Sequence, residues 1–286
     1  MRTAVSWRDY ELIDTSDGNR LERWGEKILI RPDPQIIWNT DKVNSHWDNV
    51  DARYYRSSSG GGSWKYFHGE ISRQNIHWKD LTFKVEPTGF KHMGLFPEQA
   101  ANWEFFINKI EETKRPISVI NLFAYTGGAT LACAKAGASV CHVDASKGMV
   151  SWARENAKLS SLEKAPIRWI VDDCEKFVAR EIRRGRKYDA IILDPPSYGR
   201  GPNGEVWKIE NKIYGLLTML KQLLSEKPLF FALNSYTSGL SPETMKYLVG
   251  VTIADSFDNL SCDEVGLKVS QTDFELPCGN TALAWN

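Results

Sequence analysis

Cysteine is scarce in this sequence, and its spacing excludes more than it suggests. Five cysteines occur in 286 residues, at positions 133, 141, 174, 262 and 278. An odd number without a CxxC argues against a disulfide framework and gives no metal-ligand spacing, so no metal site is expected. Neither sign of charge is in excess: 36 Lys and Arg balance 36 Asp and Glu, for a formal net charge of +0. The chain as a whole therefore carries no electrostatic argument for nucleic acid or membrane, although a local patch can. No run approaches the ~18 apolar residues of a membrane span. The opening MRTAVSWRDYELIDTSDG has no apolar core of the kind that marks a secretory leader. A reduced, cytoplasmic protein is expected. Long internal repeats are also lacking.

The texture changes near residue 85. Six of the eleven tryptophans (Trp7, Trp24, Trp38, Trp47, Trp64 and Trp78) precede it. KILIRPDPQIIW (27–38) reads as strand, turn, strand, and WKYFHGEI (64–71) and HWKDLTFKVE (77–86) as further strands. SSSGGGS (57–63) reads as a loop tip. Residues 1–85 are thus expected to form a small β-rich unit. After residue 115, β-branched apolar runs alternate with helical patterns. ISVINLF, SVCHVD, IRWIVDD, YDAIILD and PLFFALNS read as strands. GATLACAKAG, SKGMVSWARENAKLSSL, CEKFVAREIRRG and IENKIYGLLTMLKQLLS read as the helices between them. The expected class is α/β: a doubly wound, mostly parallel, Rossmann-like sheet over residues 86–286. Such a sheet binds its ligand outside the carboxyl ends of the strands.

Those ends are rich in functional groups. The first strand runs into AYTGGA, where Gly127 and Gly128 let the backbone approach a ligand at a helix N-terminus. GxGxxG is absent, so a ligand without a pyrophosphate suits the loop. Asp144 ends the second strand, 17 residues beyond Gly127, near the position of a ribose-hydroxyl acceptor; its plain alternative is a helix cap. Asp172 and Asp173 end the third strand, as an acceptor for an adenine amino group or, again, a cap. The fourth ends in DPPSYGRG (194–201).

Taken together, NLFAYTGG (121–128), VDAS (143–146), VDDC (171–174) and DPPSY (194–198) resemble the motifs of class I S-adenosylmethionine-dependent methyltransferases. Among these the chain is most similar to bacterial large-subunit ribosomal RNA methyltransferases. TGFKHMGLFPEQAANW (88–103) resembles a segment that covers the cofactor in that family. The resemblance implies S-adenosylmethionine as cofactor, with Phe123, Tyr125, Thr126 and Gly127 at its methionine end. It implies Asp144, flanked by Ala145 and Ser146, at the ribose, Asp173 at the adenine, and Lys91 and Gln99 in the covering segment. Asp194 would lie beside the transferred methyl, with Pro195 and Tyr198 completing the catalytic turn. In amino-methyltransferases an aromatic usually follows the prolines directly, whereas here Ser197 intervenes.

The prolines stiffen the turn and leave carbonyls to face a substrate, and Tyr198 offers a ring on which a flipped base can stack. Carbon-5 of cytosine needs a catalytic thiolate, and neither DPPSY nor LNSYTSG (233–239) contains cysteine; Cys174 reads as structural. A nitrogen acceptor fits better. Residues 53–79 carry Arg53, Arg56, Lys65, Arg73 and Lys79 against Glu70, interleaved with Tyr54, Tyr55, Trp64, Tyr66, Phe67 and Trp78. That pattern suits single-stranded RNA, or else a small aromatic core beneath a charged face. Arg200 is a candidate phosphate contact. The expected function is methylation of a base nitrogen in RNA, ribosomal RNA favoured. The alternatives are a methyltransferase acting on protein or a small molecule, a non-catalytic RNA-binding or assembly protein with the same fold, and a nicotinamide-dependent dehydrogenase, which should have GxGxxG.

Overall fold

A computed structural model describes residues 1–57, 61–200 and 206–286, without the side chain of Arg200. Part of the expected loop tip (58–60) and the phosphate contact expected of Arg200 therefore lie outside the described residues. The chain divides into two compact units: Thr3–Ala101 with Gly266–Cys278, and Met1–Arg2 with Asn102–Val265 and Gly279–Asn286. The change of texture near residue 85 lies before Ala101, and local composition does not register the returning segment Gly266–Cys278.

The strands of the first part are β1 (Arg2–Ala4), β2 (Tyr10–Ser16), β3 (Asn19–Trp24), β4 (Lys27–Pro32), β5 (Ala52–Arg56), β6 (Gly62–Tyr66), β7 (Gln74–Trp78) and β8 (Leu81–Val85). β2 to β6 form one sheet in sequence order, and β7 pairs with β8 as a hairpin. HWKDLTFKVE is thus split by a turn at Lys79, where φ is +48°. The second strand expected in 27–38 does not form. After Asp33 and Pro34 the chain runs irregularly, with Ile36 buried and Ile37 90% exposed.

This unit is organised around buried charge as well as Ile13, Leu21, Ile28, Ile30 and Val50. Arg31 grips Glu22 through two hydrogen bonds, Nε to Oε2 at 2.6 Å and Nη2 to Oε1 at 2.7 Å, and Tyr10 donates to Oε1 at 2.8 Å. Desolvation pushes the Glu22 carboxyl up, but the charge and hydrogen bonds of Arg31, with Arg20 and Tyr10, together offset this, and its pKa falls below the ordinary value. The Arg31 guanidinium lies 5.2 Å from the Trp24 ring centroid.

The second unit holds α1 (Ala100–Glu112, beginning just outside it), β9 (Ser118–Leu122), α2 (Gly128–Lys135), β10 (Ser139–Asp144), α3 (Lys147–Leu159), β11 (Ile167–Val171), α4 (Cys174–Arg183) and β12 (Ala190–Leu193). It continues with β13 (Tyr198–Arg200), β14 (Val206–Lys208), α5 (Ile209–Lys221), β15 (Phe230–Ser235) and α6 (Pro242–Thr252). The chain ends in two long strands, β16 (Asn259–Lys268) and β17 (Glu275–Trp285). β12 and β15 are buried along their whole length, as strands covered on both faces must be. Side-chain caps set the helix starts: Ser146 for α3, Asp173 for α4, and Ser241 with Pro242 for α6.

The main sheet has the order β1-β16-β17-β15-β12-β9-β10-β11. From β9 the chain winds outward through β10 and β11, then returns to β12 on the other side of β9. β9 and β12 are parallel neighbours, so the order reverses between them, and a crevice is expected outside their carboxyl ends. The doubly wound, mostly parallel sheet is as expected from sequence; β15 and β17 add an antiparallel pair.

Removing either partner of the Glu22–Arg31 pair strands a buried charge. Glu22→Leu or Arg31→Met alone should destabilise the protein by about 3–5 kcal/mol, and the double variant by much less. Denaturant titration of the three variants checks this. With the Glu22 pKa lowered by folding, the pair's contribution is present above the unfolded carboxyl range. It is lost as pH falls through the folded value.

Candidate active site

The β9–α2 turn gathers three left-handed residues within five positions. Phe123 (φ +55°), Tyr125 (φ +51°) and Gly127 (φ +90°) are all left-handed. Two non-glycine residues in that region hold only where the surroundings fix them. Here Phe123 N donates to Cys174 Sγ at 3.4 Å, Ala124 N to Val143 O at 3.1 Å, and Tyr125 N to Asp144 Oδ2 at 2.8 Å. Asn156 Nδ2 donates to Thr126 O at 2.9 Å. The two glycines are needed for packing. A methyl at Gly127 would press on Ala153, and one at Gly128 would overlap the Trp103 indole. Close approach of backbone to ligand, expected of both, is therefore not what the Gly128 position demands.

Asp144 receives one backbone donor on each oxygen: Tyr125 N on Oδ2, and Ser146 N on Oδ1 at 2.8 Å. It is held by the loops and does not cap α3; that role belongs to Ser146 Oγ, which accepts from Met149 N at 3.4 Å. Desolvation raises the Asp144 pKa above its ordinary value, and the two N–H bonds only partly counter it. A carboxylate oxygen can accept two hydrogen bonds. The residues therefore fit a vicinal diol such as ribose, whose two hydroxyls would complete the solvation that burial removed. Ala145 is exposed beside it.

Asp173 is the N-cap of α4, with Oδ1 accepting from Lys176 N at 2.9 Å, and Asp172 pairs with Arg180. Cys174 is buried, and desolvation pushes its thiol well above the ordinary range. A thiol so held is a poor nucleophile. Asp194 follows β12, its N donating to Leu122 O at 3.5 Å, and its Oδ1 accepts from Asn234 Nδ2 at 2.8 Å. Pro195 is buried and Tyr198 is 50% exposed. The carbonyls expected to face a substrate are in part committed elsewhere. Pro196 O accepts from Trp207 Nε1 at 2.6 Å, and Ser197 O from Ile209 N at 3.1 Å. Ser197, the intervening residue, shares a 2.6 Å hydrogen bond with Thr237.

Strand order places Phe123, Tyr125, Thr126 and Gly127 after β9, Asp144, Ala145 and Ser146 at the end of β10, Asp173 after β11, and Asp194, Pro195 and Tyr198 after β12. Lys91 and Gln99 belong to the other unit. There Lys91 Nζ donates to Pro32 O at 3.1 Å, and desolvation with the nearby Arg31 lowers its pKa to about 8. Gln99 ends a short 3-10 turn, Pro97–Gln99. Asn234 and Trp207 were not singled out by sequence reasoning. Asn234 falls in a strand-end window already marked for its position, but nothing in LNS reveals a partner 40 residues away. Among the described residues no group of three or more His, Cys, Asp or Glu is placed to hold a metal ion. No helix among them is long and apolar enough to cross a membrane.

Residues 33–229 match the family model described as S-adenosylmethionine-dependent methyltransferase. A crystal structure of a SAM-dependent methyltransferase from Agrobacterium tumefaciens is similar at 35% identity and TM-score 0.93, covering 99% of this chain and 92% of that one. A candidate methyltransferase solved with SAH shares the fold at 18% identity and TM-score 0.74, over 98% of this chain and 76% of that one. The ribosomal RNA large subunit methyltransferase K/L of Shewanella frigidimarina is 32% identical over 145 residues, 50% of this chain. That match spans only 20% of the relative's length.

Asp144→Ala should weaken binding of S-adenosylmethionine by about 1.5–3 kcal/mol, through loss of a charged acceptor. Because burial raises the Asp144 pKa, folding favours its neutral form. That contribution to stability is full below the unfolded pKa and is lost as pH rises through the folded one. Cofactor donors favour the ionised form instead, so affinity should fall as pH drops through the raised titration range. Asp144→Asn should bind weakly with little pH dependence. Calorimetry across the acid range tests both statements.

Proposed function

The chain belongs to the S-adenosylmethionine-dependent methyltransferases, and from that premise we propose that it methylates a nitrogen of a base in RNA, ribosomal RNA favoured. The observation that carries the choice of atom is the contrast between Asp194 and Cys174. An acceptor carboxylate stands at the strand end where the family places the methyl acceptor, while that cysteine is buried and unreactive. Bound S-adenosylmethionine supplies a sulfonium methyl already activated for in-line displacement. The residues then have to bind, align and exclude water, which removes entropy from the barrier. Asp144 takes the ribose hydroxyls, Asp173 presents an exposed carboxylate for the adenine amino group, and Phe123 to Gly127 line the methionine end. Lys91 and Gln99 are assigned to the cofactor on the resemblance alone. Asp194 accepts an N–H of the attacking amine, so that its lone pair points at the methyl. Tyr198 offers an exposed face for stacking.

Support for RNA comes from the β5–β6 hairpin. Arg53 and Lys65 are direct cross-strand partners, so two cations share one face, an arrangement that is destabilising unless an anion joins them. Tyr55 and Phe67 are exposed, with the Arg53 guanidinium and the Lys65 ammonium each 5.1 Å from the respective ring centroid. Tyr54, Trp64 and Trp78 are instead engaged within the protein. Tyr54 is buried, Trp64 packs edge-on against it at 5.4 Å, and Trp78 donates to Val5 O at 2.7 Å. The basic-aromatic pattern thus divides into an outer face suited to a nucleic-acid backbone and bases and an inner face that is core. The expected cytoplasmic location goes with this reading. The curated relatives named for ribosomal RNA are matched over a fifth of their length, and the substrate assignment is our proposal.

Tritiated methyl transfer into RNA, protein and metabolite fractions from cells lacking the enzyme tests the function. Label in RNA is expected, and label in another fraction alone would overturn the RNA assignment. Asp194→Ala should lose most turnover, about 10²-fold or more, with cofactor affinity nearly intact, whereas Cys174→Ser should stay active. Arg53→Glu with Lys65→Glu should weaken RNA binding and flatten its salt dependence without changing cofactor affinity. Filter binding at two salt concentrations reads this out.

A further inference from the structure

Behind Asp194 runs a chain of side-chain hydrogen bonds that the cofactor site does not use. Arg2 Nη2 donates to Asn102 Oδ1 at 2.7 Å, and Asn102 Nδ2 donates to Thr281 Oγ1 at 3.0 Å. Thr281 Oγ1 donates to Asn234 Oδ1 at 2.7 Å, and Asn234 Nδ2 donates to Asp194 Oδ1 at 2.8 Å. Asn102, Thr281 and Asn234 are all but fully buried, at 1%, 1% and 4% exposure. Their meeting is set by the sheet. Asn234 on β15 and Thr281 on β17 are direct antiparallel partners, and Leu193 on β12 pairs with Leu233, which puts Asp194 level with Asn234.

The direction of this chain is fixed at both ends. A guanidinium can only donate, and a carboxylate can only accept. Each amide must therefore receive on oxygen and give on nitrogen, and the Thr281 hydroxyl must receive from Asn102 and give to Asn234. Reversing any one member would set donor against donor or acceptor against acceptor in a buried place, which is costly. Aligned hydrogen bonds also polarise one another in the same sense. Arg2 Nε and Nη1 are buried and have no hydrogen-bond partner among the described residues, so its donation runs into this chain through Nη2.

We propose that Asn234, backed by Thr281 and Asn102, is a positioning residue that fixes the rotamer of Asp194 and holds it as an acceptor for an N–H-bearing methyl acceptor, the amine or amide edge of a base. This rests on the reading of Asp194 as the residue beside the transferred methyl. It adds that the choice of an N–H nucleophile is made behind the site, in the sheet. With the Asn234 amide locked by Thr281, one Asp194 oxygen meets a donor on the protein side, and the carboxylate cannot swing without breaking that bond. A freely rotating carboxylate would align the nucleophile less well, which appears in kcat, not in cofactor binding.

The test uses Thr281→Val, which keeps the shape but removes the one group joining Asn102 to Asn234, and Thr281→Ser, which restores it. Label transfer from tritiated S-adenosylmethionine is measured into protein-free total RNA from cells lacking the enzyme. SAH affinity and thermal unfolding are measured alongside. Thr281→Val should lose about tenfold in kcat, with SAH affinity within about twofold of wild type, and Thr281→Ser should recover most of the loss. Unchanged kcat in Thr281→Val, or equal loss in the folded Val and Ser variants, would overturn the proposal. If wild type labels protein or small molecules and not RNA, the RNA reading fails. The variants are then compared on the labelled fraction, where the same outcomes decide. If no fraction takes label, hydrogen exchange of the Asn234 side-chain amide decides instead. Faster exchange in Thr281→Val than in wild type supports the locked amide, and equal exchange overturns it.

Discussion

Two backbone N–H groups converge on the carboxylate of Asp144, and the arrangement of the loops after β9 and β10 follows from that. Tyr125 N and Ser146 N come from loops after different strands, β9 and β10. One carboxylate therefore ties two strand ends together, and it can do so only if Tyr125 turns its N–H inward. That demand puts Phe123 and Tyr125 into left-handed backbone, a costly region for bulky residues. The cost is offset by bonds to Cys174, Val143 and Asn156 and by close packing of Gly127 and Gly128 on Ala153 and Trp103. A negative charge at a strand end is stabilised in the same act that shapes the turn. The shaped turn then leaves lone pairs on Asp144 for a ligand.

The legible parts of this structure in its sequence are those encoded locally. Strands β9, β10, β11, β12 and β15 are largely apolar runs, helices α3 to α5 are periodic, and Gly137 and Gly185 stop α2 and α4, so their order could be read. The identities at their carboxyl ends followed, because parallel winding sends every such end to the same edge. What escaped was encoded by distant pairing. β16 and β17 lie beyond the alternating region, and residues 266–278 return to the N-terminal unit. The Asn234–Asp194 bond depends on the register between β12 and β15, which no local pattern displays. The run 35–38 misled for the opposite reason. Its apolar residues suggested a strand, but a turn at Asp33-Pro34 leaves only Ile36 buried.

Capping offers a sharper lesson about aspartates at strand ends. Asp144 is the last residue of β10 and Asp173 stands two residues beyond β11, and each had a cap as its plain alternative. The structure separates them. Asp173 caps α4, while at the equivalent place Ser146 takes over the cap of α3 and frees Asp144 for the loops. A serine two residues on allows the carboxylate to point away from its own helix. Without that serine, the first turn of α3 would compete for Asp144, and the Tyr125 turn would lose its anchor.

The two carboxylates of the site are thus held in different ways, and the difference has a consequence for how the site can change. Asp144 is gripped by main-chain groups, which do not depend on the side chain at position 125 as long as Ser146 keeps the cap of α3. Asp194 is gripped by the Asn234 side chain, itself set by Thr281 and Asn102, and substitution at any of these alters the acceptor side. On the proposed roles, the acceptor carboxylate at the cofactor end is held by backbone donors, while the one at the methyl-acceptor end is held by side chains at positions removed from the substrate. A fold built in this way can keep one cofactor and vary the nucleophile. Such variation needs no change in the strand-end motifs themselves, because the determinants sit one and two strands behind them.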